Sequence, residues 1–127
     1  MSQVHALIID DNLQNLKVLA QLLSKQNITC TEIADTRKLP TMLDDLQHVS
    51  VVFLDLEMPS LNGYNTKEML RSHFGNIPII AYTVHVSEIN VVRDAGFDGF
   101  LGKPVDTARF PEQLARILRG EPVWDRA

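Results

Sequence analysis

The chain has 127 residues, room for one domain and little more, and its 45% hydrophobic and 22% charged residues are the balance of a globular protein rather than a disordered one. A net charge of −4 argues against a nucleic-acid partner, and the single cysteine, Cys30, excludes an internal disulfide framework. No apolar run approaches the roughly 20 residues that span a bilayer, and the N-terminus lacks the features of a secretory signal, so a cytoplasmic domain with no membrane partner is expected.

Val4 to Ile9 is a nearly unbroken apolar run ending at Asp10-Asp11. Continuous rather than alternating hydrophobicity predicts a strand buried on both faces, as in a parallel sheet covered by helices. Asn12 reads as an N-cap, with Leu13, Leu16, Leu19, Ala20 and Leu23 following at helical spacing. Ile28 to Ala34 reads as a more polar strand and contains Cys30, expected as a small buried hydrophobe. Thr36 to Leu46 reads as a helix, with Pro40 tolerable only in its first turn.

Val49 to Leu54 is the strongest strand signal and stops at Asp55. The run Glu57-Met-Pro-Ser-Leu-Asn-Gly63 is punctuated as a loop. A helix from Tyr64 to Phe74, a strand from Pro78 to Tyr82 and a helix from Ser87 to Ala95 follow, the last closed by Gly96 at C′. Within and before that helix, Val84, Val86, Ile89, Val91 and Val92 spread wider than one buried face requires. Asp98 to Leu101 is a short strand before Gly102-Lys103-Pro104. Asp106 to Phe110 forms a capped turn into a final helix, with Pro111 at its first position and Gly120 at its end.

Five strands alternating with five helices predict an α/β fold, a doubly wound five-stranded parallel sheet of the flavodoxin-like kind. The domain is expected over 1–120 and a short polar tail over 121–127, with Trp124 packing back on the domain. The start at Met1 leads to the expectation of a complete product with no effector domain after Gly120.

In such sheets ligands bind outside the carboxyl ends of the strands, where the strand order reverses. The residues expected there are Asp10 and Asp11, Asp55, Thr83 and Lys103: three carboxylates, a hydroxyl and an ammonium. The set suits phosphoryl transfer onto a carboxylate. Asp55 can act as nucleophile, Asp10 and Asp11 offer hard oxygens to Mg²⁺, and Lys103 can neutralise charge on the transferring group. Thr83 can hydrogen-bond a phosphoryl oxygen.

These residues carry a resemblance. Asp10-Asp11 with Asn12 and Asn15, Asp55 to Gly63, Ile77 to Thr83, and Phe100-Leu-Gly-Lys-Pro104 stand in the order and spacing of a two-component response-regulator receiver domain. The similarity covers roughly residues 3–119 and implies roles beyond those read from the chemistry. Asp55 would accept phosphate from a sensor histidine kinase or a histidine phosphotransfer protein. Mg²⁺ would be held by Asp10 or Asp11, by Asp55 and by the backbone carbonyl of Glu57. The Lys103-Pro104 bond would be cis. Thr83 and Phe100 would act as switch residues and reshape the face of the fourth helix, fifth strand and fifth helix, where a downstream protein would dock.

Three positions depart from the commonest pattern. Val84 follows the switch threonine where a smaller residue is usual and would crowd the rim of the site, where His85, two positions after Thr83, stands at a place the family gives to residues that influence dephosphorylation. Glu57 adds a carboxylate beside the metal loop. Phe100 stands where tyrosine is frequent, so it can pack but not donate a hydrogen bond. The function implied is a phosphorylation-dependent signalling switch with output through protein–protein contacts, not an enzyme beyond its own phosphorylation and dephosphorylation. The alternative is a pseudo-receiver whose contacts ignore phosphate. A haloacid-dehalogenase-like phosphatase is rejected, because Glu57 fills the spacing of its general acid only nominally and no insertion could form a cap. The remaining histidines, His5, His48 and His73, show no metal spacing.

Overall fold

The computed structural model describes residues 4–46, 48–56, 63–84, 86–103 and 105–125. Six parallel strands stand in the order β2-β1-β3-β4-β5-β6, with β1 His5–Ile9, β2 Thr29–Ile33, β3 Val51–Asp55, β4 Ile79–Thr83, β5 Gly99–Gly102 and β6 Val123–Asp125. Helices α1 Leu13–Ser24, α2 Leu39–Asp45, α3 Gly63–Phe74, α4 Ile89–Asp94 and α5 Phe110–Leu118 connect them.

The two-residue period of the strands divides the core into two layers. Ile8, Phe53, Tyr82, Leu101 and Val123 face Leu16, Leu19 and Leu23 of α1 and Phe110, Leu114 and Ile117 of α5. Leu7, Leu54, Ala81 and Phe100 face Leu39 and Leu43 of α2, Leu70 of α3, and Ile89 and Val92 of α4. Both faces are covered, which is why β1, β3 and β4 read as unbroken apolar runs.

Local signals sit where the sequence placed them. The Asn12 side chain accepts from the Asn15 N–H at 3.0 Å and caps α1. Gly96 and Gly120 hold φ of +93° and +83° after α4 and α5, a conformation in which a Cβ is strained. Pro40 falls in the first turn of α2, and Asp106 Oδ1 accepts the Ala108 and Arg109 N–H groups ahead of α5.

Four expectations need correction. The sheet has a sixth strand: Val123–Asp125, read as part of a polar tail, pairs with β5, and Trp124 packs against the α4 layer. The expected second and fourth helices begin as 3₁₀ turns over Thr36–Lys38 and Val86–Glu88, so α2 and α4 proper are shorter. Strand β3 starts at Val51 rather than Val49 and takes in Asp55 itself, because its ladder extends to the Asp55–Tyr82 register pair. Cys30, expected to be buried, is only half-buried, because β2 is an edge strand with no neighbour on its outer side.

Candidate functional site

The strand order reverses between β1 and β3: the chain leaves β1 for β2 on one side and builds β3 to β6 on the other. Asp10 and Asp55 end these two strands. Asp10 lies two residues beyond Ile8, Asp55 two beyond Phe53, and Lys103 two beyond Leu101. The strand period therefore turns all three side chains to the α1/α5 side. There the Lys103 ammonium lies 3.1 Å from Asp10 Oδ2 and 3.0 Å from Asp55 Oδ1. The side chains of Lys103, Asp10 and Asp55 are only 6%, 1% and 3% exposed.

Asp10 is fixed from a second direction, its Oδ1 accepting the Asn12 N–H at 2.9 Å. Asp11 points outward and is exposed, yet one oxygen from each of Asp10, Asp11 and Asp55 lies within 4.8 Å of the others. That spacing is close to the roughly 4 Å between opposite oxygens around Mg²⁺, and carboxylate oxygens are the hard donors this ion takes. Three carboxylates against one ammonium leave negative charge in excess. The donor set fits a divalent cation.

Thr83 closes β4, fully buried, opposite Gly102 in the β4–β5 register, and its carbonyl accepts the Lys103 N–H at 2.9 Å. Val84, next along, is 52% exposed. Phe100 is fully buried in the α4 layer. The structure thus gathers Asp10, Asp11, Asp55 and Lys103, with Thr83 on the adjoining strand end. Phe100 lies further along β5. Glu57, His85 and Pro104 lie outside the described residues.

Tyr82 is a contributor that the sequence marked only as the end of a strand. Lys103 Nζ sits 4.8 Å from its ring centroid, a cation–π contact that adds to the two ion pairs. Burial, reinforced by the Asp10 and Asp55 charges, pushes its phenol up to about 12. Burial works to lower the pKa of Lys103, but its hydrogen bond and charge contact with Asp55, together with Asp10, outweigh that and hold it above the ordinary lysine value. The signal was available: an aromatic one residue before Thr83 must face the same layer as Phe53 and Asp55.

His5 and His48 stay apart from this cluster. His5 bridges Thr29 Oγ1 and Thr31 Oγ1, each at 2.7 Å, and His48 pairs with Ser50. Among the described residues no helix is long and apolar enough to cross a membrane.

Comparison with known proteins places this geometry. The response regulator receiver domain model matches residues 6–115. The chain is 32% identical over 118 residues to hybrid signal transduction histidine kinase A of Dictyostelium discoideum, covering 87% of this chain and 6% of that protein. It is 30% identical over 112 residues to stress response regulator protein 1 of Lodderomyces elongisporus, covering 84% of this chain and 31% of that protein. The chain therefore spans less than a third of either relative. The chemotaxis response regulator CheY4 of Vibrio cholerae superposes with a TM-score of 0.78 at 21% identity, over 91% of this chain and 99% of that one. Its fold is shared. Carboxylates clustered at the switch point of a doubly wound sheet, a lysine tying two of them, and a family match across most of the sequence agree: the chain belongs to the response regulator receiver domain family.

Proposed function

We propose that this chain is a phosphorylation-dependent switch in which Asp55 takes a phosphoryl group from a histidine of a sensor kinase or a histidine phosphotransfer protein. The observation that carries the proposal is the buried Asp10–Lys103–Asp55 arrangement beside Asp11. Such a cluster holds like charges together at a cost to stability and is suited to receiving a metal and a phosphoryl group.

In the transfer, an Asp55 carboxylate oxygen attacks phosphorus, the P–N bond breaks, and its electron pair returns to the imidazole, which takes up a proton. Lys103, already 3.0 Å from Asp55, meets the charge on the phosphoryl oxygens, a pre-positioned electrostatic contribution. The Thr83 hydroxyl, at the end of the neighbouring strand, would donate to one of those oxygens. Asp10, Asp11 and Asp55 would hold Mg²⁺, with the Glu57 carbonyl, and the ion would offset phosphoryl charge. Hydrolysis later returns the carboxylate, and the half-exposed Val84 beside Thr83 would narrow the path by which water enters.

Output through the α4–β5–α5 face is supported by Val84 and Val91, both more than half exposed although Ile89 and Val92 of the same segment are buried. The Val86 side chain lies outside the described residues. A small phosphodonor with Mg²⁺ tests the proposal. It should add one acid-stable, base-labile phosphate to the wild type and none to a folded Asp55→Asn variant. A folded wild type that takes no label refutes it and leaves a phosphate-independent interaction module.

A further inference from the structure

Strand β5 joins the carboxylate cluster to the edge of the sheet. Its C-terminal end runs into Lys103, tied to Asp10 and Asp55. Phe100, three residues earlier, is in register with Trp124 of β6 and lies in the same layer of the core. Neighbouring strands are about 4.8 Å apart, so Trp124 flanks Phe100 on the α4 side. Above Trp124, the Arg93 guanidinium carbon of α4 lies 4.8 Å from the ring centroid. Val123, on the opposite face, is fully buried in the α1/α5 layer.

This docking is written into the sequence at Gly99. A Cβ there would lie 2.8 Å from the Val123 carbonyl oxygen and 2.9 Å from Ile80 Cδ1, closer than real Cβ atoms come. Only glycine admits β6 at this distance. Yet β6 has three residues and one neighbouring strand, so β5 alone carries its register. Packed layers respond to small displacements by changing arrangement rather than by stretching.

We propose that β6 is a latch: Trp124, held between Phe100 and Arg93, keeps Phe100 buried and α4 in place, and its docking on β5 responds to what Lys103 binds. The natural trigger rests on the reading of Asp55 as phosphoacceptor; the mechanical link does not.

Trp124 is the only tryptophan, so its emission reports β6 alone. The full chain is treated with Mg²⁺ and beryllofluoride, a phosphoryl mimic, and site occupancy is read independently by fluorine NMR. Expected are a shift of Trp124 emission and a severalfold change in acrylamide quenching, both absent in Asp55→Asn. An occupied site with unchanged emission and quenching overturns the latch. Failure of the fluoride to bind refutes the phosphoacceptor reading instead, and the latch is then judged on Lys103→Gln and Asp10→Asn in EDTA. Whichever of these retains a wild-type far-UV spectrum should shift Trp124 emission; an unchanged emission overturns the proposal. Conversely, Gly99→Ala should undock β6, raising quenching severalfold and abolishing hydrogen-exchange protection across Val123–Asp125 while β1 and β3 stay protected. Retained protection in β6 also overturns it.

Discussion

Replacing Lys103 by methionine removes the one cation placed between two buried carboxylates. A unit-charge pair at 3.0 Å contributes about 5 kcal/mol at an effective dielectric near 20, and much of that offsets the cost of burying the ammonium. The net loss follows measured cases in which one partner of a buried pair is deleted, about 3–5 kcal/mol. For a domain of this size that corresponds to a fall in Tm of roughly 10–20 °C. The loss should appear in EDTA at neutral pH, where Asp10, Asp11 and Asp55 are left facing one another, and it should shrink when Mg²⁺ is added. Because the pKa of Lys103 is raised in the folded state, its contribution is fully present below the ordinary lysine range and is lost as pH rises through the folded value. Wild type and Lys103→Met should therefore converge in stability at high pH. Thermal melts with EDTA, with Mg²⁺ and across alkaline pH provide the check. A Lys103→Met protein that melts within two or three degrees of wild type in EDTA would refute the claim that the ammonium neutralises this cluster.

Asp11→Asn should stabilise the fold in EDTA by about a few tenths of a kcal/mol, as for an exposed charge, and weaken the rise in Tm that Mg²⁺ produces by binding only the folded state. Asp10→Asn should not stabilise in the same way, since Asp10 is held by Lys103 and by the Asn12 N–H; melts of both variants separate the two roles. The Tyr82 phenol should ionise near 12 rather than 10, read by ultraviolet absorbance, and in Asp55→Asn it should ionise at lower pH. Between pH 10 and 12 the unfolded chain releases that proton while the folded chain keeps it, so about 2–3 kcal/mol of stability should disappear as pH rises through this window. Val84→Ala, at a half-exposed position, should leave stability within about 0.5 kcal/mol and speed loss of phosphate from Asp55, measured by the decay of the labelled protein; equal decay rates would show that the isopropyl group does not obstruct water.

Much of this molecule was legible because its strands are buried on both faces. Such strands appear as unbroken apolar runs, and the first polar residue after each, Asp10, Asp55 and Lys103, marks the end at which a doubly wound sheet binds ligands. The caps were equally readable, since Asn12, Gly96 and Gly120 act through local backbone geometry. Strand β6 was not. Val-Trp-Asp is too short to display a period, and it becomes a strand only because Gly99, distant in sequence, leaves room for the Val123 carbonyl. The partition of the valines around α4 was hidden for a related reason: 3₁₀ and α turns meet at Glu88, so no single helical period describes the segment. Lys67, buried beside Phe97 and ion-paired to Glu68, gave no signal at all, because a lysine at a helical position ordinarily reads as solvated.

The central claim is that Asp55 carries the phosphoryl group. Its most direct test is chemical trapping: the protein is phosphorylated with a small phosphodonor and Mg²⁺, reduced with borohydride, digested, and sequenced by mass spectrometry. An aspartyl phosphate is reduced to homoserine at the carbon that bore it. Homoserine at position 55, and at no other carboxylate, is the expected result. Homoserine at Asp10 or Asp11, or at none of the three in a protein shown to be labelled, would contradict the account.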